Sequence, residues 1–293
     1  MTVELRIRIA HSLADVPAAE WDACAAAPDF STKLSTRGQV ENPFVSHAFL
    51  SSLEQSHSVG PRTGWQPQHL IAETVAGEIV GVVPCYAKGH SQGEYVFDHG
   101  WADAFERAGG DYYPKLQAAV PFTPVTGPRL LARPGPLADS VRGALGDALA
   151  EIARENGLSS AHVTFLTKPE WDLLGARGYL QRTDQQFHWQ NEGYATFDDF
   201  LAALNSRKRK TIRRERKEAV APGITLHCLT GSDLTEEVWD AFFAFYMDTG
   251  SRKWGRPYLT RAFFSLIGQS MADPTVLVMA RRNGRWIAGA INF

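Results

Sequence analysis

The chain has 293 residues, a formal net charge of −2 and an apolar fraction of 44%. It is long enough for two modest domains or one large one, apolar enough for ordinary cores, and too near neutrality to demand a nucleic-acid or membrane partner. Cys24, Cys85 and Cys228 are odd in number and far apart. They form neither a metal spacing nor a disulfide framework, which fits a reducing cytoplasm.

The opening, Met1-Thr-Val-Glu-Leu-Arg-Ile-Arg-Ile-Ala10, alternates apolar and polar residues as a strand does and lacks the apolar core of a signal peptide. A helix is predicted over residues 16–27, with Pro17 near its first turn. Residues 28–43 are polar and read as a loop. Ser46 is a candidate cap for a helix running to about residue 58, whose Phe49, Leu50 and Leu53 make an apolar stripe. Strand candidates at 69–75 and 78–88 flank Ala76-Gly77, which predicts a hairpin. Residues 97–108 predict a short helix. An amphipathic helix starts at Asp139 or Ser140 and stops at Gly157. A buried strand is predicted at 161–166, a helix at 168–177 and a long strand at 179–190. No apolar run reaches the roughly 18 residues a membrane helix needs.

The order then restarts. Residues 197–204 and 207–220 predict helices, 224–229 a strand, and 236–247 and 261–271 two more helices. Strands at 275–281 and 285–293 form a hairpin across Arg282-Asn283-Gly284. The expected architecture is mixed α/β, since a long helix between strands implies a parallel crossover.

Between Gly109 and Leu131, apolar residues Leu116, Val120, Phe122 and Val125 are interrupted by Pro114, Pro121, Pro124 and Pro128. Proline removes a donor and fixes φ, so broken strands joined by rigid turns are expected. Such a backbone holds Tyr112, Tyr113, Lys115, Phe122, Thr123 and Thr126 in set directions, as a substrate pocket requires; an edge strand with a loop is the plainer reading. Just before it, Asp98, His99 and Asp103 near Trp101 are candidates to take a proton from an attacking amine, although Asp98 also suits a helix cap. Gly250-Ser-Arg-Lys-Trp-Gly-Arg-Pro-Tyr258 supplies Arg252, Lys253, Trp254, Arg256 and Tyr258 as candidate ligand contacts. Residues 207–217 hold eight basic side chains in eleven positions. Arg207, Arg209, Arg213 and Arg214 read either as a phosphate-binding face or as an ordinary solvated helix. No metal-ligand cluster or Ser/His/Asp order stands out.

Four of these stretches resemble the FemAB-like family of bacterial proteins concerned with peptidoglycan biosynthesis or recognition: Asn42-Pro-Phe-Val-Ser-His-Ala-Phe-Leu50, the proline-broken segment, the basic run and the Arg252–Tyr258 loop. The resemblance implies tandem GNAT-like N-acyltransferase domains. They are expected at 1–191 and 192–293, the second stopping mid-pattern. It also implies acyl or aminoacyl transfer to an amine of a cell-wall precursor or other small substrate, with acyl-CoA or aminoacyl-tRNA as possible donors. A non-catalytic module of the same fold, binding an anionic ligand or RNA, is the alternative. One departure matters. The phosphate-binding turn of a GNAT-like enzyme falls at Leu130-Leu-Ala-Arg-Pro-Gly-Pro-Leu-Ala138, where Gly135 lies between two prolines that donate no backbone hydrogen bond. Arg133 remains as a phosphate contact.

Overall fold

The computed structural model describes residues 4–26, 42–220, 223–252 and 256–293. The alternating opening forms β1 (Leu5–Ala10). Helix α1 (Ala18–Ala25) follows Pro17, whose missing amide costs nothing at a helix start. Most of the loop expected at 28–43 lies outside the described residues. Ser46 caps α2 (His47–Gln55) as expected, its Oγ accepting from the Phe49 amide at 3.2 Å.

A short strand that periodicity did not mark, β2 (Trp65–Pro67), precedes β3 (His69–Thr74). The predicted strand at 78–88 is two strands, β4 (Ile79–Val83) and β5 (Cys85–Lys88), split at Pro84. Helix α3 (His99–Arg107), β6 (Lys115–Ala118), β7 (Leu131–Ala132) and α4 (Ala138–Glu155) follow. Then come β8 (Ala161–Val163) and α5 (Lys168–Ala176).

The rest is α6 (Phe197–Ala203), α7 (Ser206–Ala219), β9 (Ile224–Leu229), α8 (Glu236–Ser251), α9 (Arg261–Ser270), β10 (Val276–Arg282) and β11 (Arg285–Asn292). The hairpin between the last two turns on Asn283 and Gly284, both at positive φ as a type I′ turn needs.

The described residues form three sheets: β1–β3–β4–β7, β2–β5–β6–β8 and β9–β10–β11. All neighbours are antiparallel except β6 and β8. The parallel pair brackets α4, the crossover the sequence implied. The fold is mixed α/β.

The register explains the prolines. Ala118 of β6 lies opposite Cys85, and Leu131 of β7 lies opposite Val82. Only Val83 and Pro84 separate those partners, yet residues 119–130 separate β6 from β7. The proline-rich stretch is therefore an excursion out of one strand line, returning almost to where it left. Arg129 locks it from inside. Its buried guanidinium donates to the carbonyls of Val125, Gly127 and Pro128. Glu170 of α5 accepts from the Arg129 and Leu130 amides through one oxygen, and from the Thr167 amide and hydroxyl through the other.

Two expectations fail. Residues 179–190 form no strand; they run irregularly along the surface, with Gln186 donating to the Pro124 carbonyl. A strand needs a partner's edge and a face to bury, but 181–186 are all polar, and Leu180 and Phe187 stay exposed. The buried strand predicted at 161–166 shrinks to a half-buried Ala161–Val163 at the sheet edge.

The order strand–helix–helix–hairpin occurs twice: β1, α1, α2, β3, β4, and again β9, α8, α9, β10, β11. Each set of three strands is antiparallel and in the same spatial order. The helix entries also read alike. Asn42-Pro-Phe-Val-Ser-His-Ala-Phe-Leu-Ser-Ser-Leu53 leads into α2, and Arg256-Pro-Tyr-Leu-Thr-Arg-Ala-Phe-Phe-Ser-Leu-Ile267 leads into α9. These two helices pack on each other, Phe49 meeting Phe263 edge-on at 5.8 Å. The Thr260 hydroxyl donates to the Ser56 carbonyl instead of capping its own helix. Phe293 completes this core against Phe44 and Phe49.

Candidate active site

Lys88 ends β5, Lys115 begins β6, and the two are direct cross-strand partners. Like charges facing each other across strands repel, and both lysines are fully buried. The loop between β5 and α3 supplies the compensation by folding Ser91, Glu94 and Asp98 over them. The Lys115 ammonium donates to Ser91 Oγ at 2.9 Å, Glu94 Oε2 at 2.8 Å and Asp98 Oδ2 at 2.7 Å. All three of its protons are used. Tyr112 Oη donates to Asp98 Oδ2 at 2.9 Å, and Tyr113 Oη lies 2.7 Å from Ser91 Oγ. Lys88 rests 3.6 Å above the Trp65 ring, donates to the Gln92 carbonyl at 3.2 Å, and comes within 3.9 Å of Glu94 Oε1.

Two carboxylate oxygens, Glu94 Oε1 and Asp98 Oδ1, are buried and accept no hydrogen bond. The environments of the two acids differ. Burial works against charge on Asp98, but hydrogen bonds led by the one from Lys115 hold it at about 2. Burial pushes Glu94 above the usual carboxylate range, with Lys115 only partly offsetting it. Burial likewise pushes Lys88 down to about 7, against the pull of Glu94. His162 is lowered to about 4 by burial and by the Lys115 charge, so it is neutral at ordinary pH.

Trp65 connects this cluster to a second feature. One face of its ring lies under Lys88, and its edge meets Phe122 at 5.4 Å. Phe122 stands at the tip of the excursion with φ +64, and its amide donates to the Gly93 carbonyl at 3.1 Å. A side chain at Gly93 would strike this ring at 2.7 Å. Phe122 stacks on Tyr258, with centroids 4.8 Å apart. Tyr246 holds the far side, its hydroxyl accepting from the Tyr258 and Leu259 amides at 2.8 and 2.9 Å. Tyr95, beside Glu94, also has positive φ, +57. Left-handed backbone at two aromatic residues in one place is costly and concentrates at sites with a task.

The residues singled out in the sequence are distributed unevenly. Asp98, Tyr112, Tyr113 and Lys115 converge on the buried cluster. Asp98 stands at the N-cap of α3 but makes no capping bond, because its carboxylate turns inward. Phe122 and Tyr258 form the junction, with Thr123 half-buried nearby in sequence. His99 and Asp103 are exposed on α3 and do not join the cluster. Thr126 is exposed and bonds Gln186. Arg252 pairs with Asp248 on its own helix, and Arg256 is exposed. Lys253 and Trp254 lie outside the described residues. Arg213 pairs with Asp198 and Arg214 with Glu218, while Arg207 and Arg209 lie on the same helix, none of whose residues is buried. Arg133 is engaged by Glu20 and by Glu78, the latter at 3.1 Å. Lys88, Ser91, Glu94, Trp65 and Tyr95 were not foreseen. Their one signal is Lys88 itself, a lysine closing an otherwise apolar strand. A surface hollow of about 270 Å³ beside Glu4, Arg6 and Glu73 touches none of these residues. Among the described residues no group of acids, histidines and cysteines suits a metal ion, and no helix is long and apolar enough to cross a membrane.

A mixed α/β fold with a long crossover helix is the class of protein the resemblance implied. The chain belongs to the FemAB-like family, described as peptidoglycan biosynthesis/recognition, whose match spans residues 12–293. No curated protein matches it.

Proposed function

We propose that this protein transfers an acyl or aminoacyl group to an amine of a cell-wall precursor. The family supports the substrate class. Glu94 Oε1, buried and accepting no hydrogen bond although Lys88 lies 3.9 Å away, on an acid whose proton affinity is raised, carries the chemical assignment. The amine nitrogen attacks the acyl carbon of an activated ester, the new C–N bond forms and the ester bond breaks. Glu94 accepts the amine proton, which passes to the leaving group. Asp98 stays ionised and, with Tyr112, holds Lys115 in place. A raised carboxylate suits a general base better than one held at about 2.

The acceptor lies against Phe122, Tyr258 and Tyr95 in this reading, with Arg252 and Arg256 within reach of its anionic groups. Residues 1–191 and 192–293 are tandem units of common descent, a reading supported by the repeated strand order and the paired helix entries. The donor is not CoA held at the start of α4, because Pro134 and Pro136 offer no amide and Arg133 is already paired. Nothing in the family description supports aminoacyl-tRNA over another ester.

The test incubates the protein with amine-bearing muropeptide precursors and activated ester donors, reading products by mass spectrometry. The expected outcome is acylated precursor from the native chain. Glu94→Gln should lower the rate on the order of 10²-fold or more, the usual worth of a general base, with circular dichroism unchanged. Equal rates in the two proteins would remove Glu94 from the mechanism.

A further inference from the structure

Helix α7 carries Arg207, Lys208, Arg209, Lys210, Arg213, Arg214, Arg216 and Lys217 against only Glu215 and Glu218, and buries none of its residues. One side leans on α6: Arg213 pairs with Asp198 at 3.3 Å, and the Arg216 guanidinium lies 3.8 Å from the Phe197 ring centre. Flanking these contacts, Arg207, Lys210, Arg214 and Lys217 follow one another at helical three- and four-residue spacing, a cationic stripe in which, among the described residues, Arg214 alone of the four has an acid within reach, Glu218 at 3.7 Å. The contacts continue into apolar surface. Phe197 meets Phe200 at 5.6 Å, and Phe200 meets Trp189 at 6.0 Å. Trp189 is 66% exposed, and Phe187, two residues before it, is 89% exposed. The stretch that failed to become a strand thus leaves large rings in water beside the most basic helix of a chain whose net charge is −2.

We infer that α7 and the 187–200 segment form a docking surface for an anionic phospholipid bilayer. Cations beside interfacial aromatics are what a membrane surface selects. The stripe meets headgroup phosphate, while Phe187 and Trp189 enter the boundary of headgroup and acyl chain. Nucleic acid fits less well, because it needs free ring faces on which bases stack. Here Phe187 and Trp189 alone of the four rings are largely open, because Arg216 covers Phe197 and Phe200 is packed between Phe197 and Trp189. The inference is independent of the proposed transfer chemistry.

The experiment is cosedimentation of the full chain with vesicles of phosphatidylcholine alone and of phosphatidylcholine with phosphatidylglycerol, at about 0.1 M salt. Binding to the anionic vesicles alone is expected. Each cation removed should lower partitioning roughly fivefold, so Arg207→Glu with Lys210→Glu should reduce it well over tenfold. Phe187→Ser with Trp189→Ser should reduce it by about tenfold or more, with circular dichroism showing both variants folded. Failure to bind anionic vesicles overturns the inference, as does equal binding to both vesicle types or indifference to the aromatic changes. A chain that shifts tRNA in a gel while vesicles leave it in solution assigns the surface to nucleic acid and overturns it equally.

Discussion

Phe122 and Tyr258 stack with their planes only 6° from parallel, joining the tip of the excursion to the entry of α9. The contact ties the first sheet system to the second through two side chains that the chain itself holds rigidly, one at positive φ and one with its amide bound to Tyr246. A double-mutant cycle with Phe122→Leu and Tyr258→Leu, followed by denaturant unfolding, should show a coupling of about 0.5–1.5 kcal/mol. Strictly additive costs would mean that the rings touch without supporting one another.

Lys115 is the keystone of the buried cluster. Lys115→Met should destabilise the protein by about 3–5 kcal/mol, because Glu94 and Asp98 are then left buried without their shared cation. Chemical denaturation at neutral pH measures it, and a loss under about 1 kcal/mol would mean that water reaches the acids.

The pH dependence follows from Asp98. Its carboxyl is held at about 2 in the folded chain against an ordinary 3.8, so the unfolded chain binds the proton more readily. Its contribution is complete above about 3.8 and is lost as pH falls through about 2. The stability gap between the native chain and Asp98→Asn should therefore be widest above that window and close within it. A gap of constant size from neutral to strongly acidic pH would show that Asp98 is not ionised in the fold.

Glu170 accepts four hydrogen bonds, two of them from the amides where the excursion returns to the sheet. Glu170→Gln replaces one accepting oxygen by a donor and removes the charge. A cost of about 2–3 kcal/mol is expected, together with faster amide exchange at Arg129 and Leu130. Unchanged exchange at those two positions would mean that the Arg129 guanidinium alone holds the excursion.

Acetyl-CoA should bind only weakly. A phosphate at a helix start is held by free backbone amides, and Pro134 and Pro136 supply none ahead of α4. Calorimetry should give a dissociation constant in the millimolar range or above. Micromolar binding would place a pyrophosphate site elsewhere on the chain.

Much of the local structure was legible in the sequence because it depends on near neighbours. The Ser46 cap, the Asn283-Gly284 turn and the stop of α4 near Gly157 each rest on the conformational preference of one or two residues. The prolines likewise declared that 109–131 is no continuous strand. The likeness of residues 42–53 and 256–267 was equally present in the sequence. It is easily missed because its matches are conservative, Phe44 for Tyr258 and Ser46 for Thr260, and its meaning shows only once α2 lies against α9.

Pairing and burial were decided by the tertiary structure. Residues 179–190 carry aromatic and apolar side chains at both ends, but hydrogen bonds to a partner make a strand, and none formed. Asp98 occupies a capping position, yet its carboxylate faces Lys115, because an ammonium buried by the sheet register attracts it more strongly than a backbone amide at the surface. Lys115 was a candidate by its place among the prolines and Lys88 only by closing an apolar strand, and nothing in one dimension paired them. The register that sets them opposite each other, and the desolvation that follows, makes Glu94 and Asp98 chemically distinct.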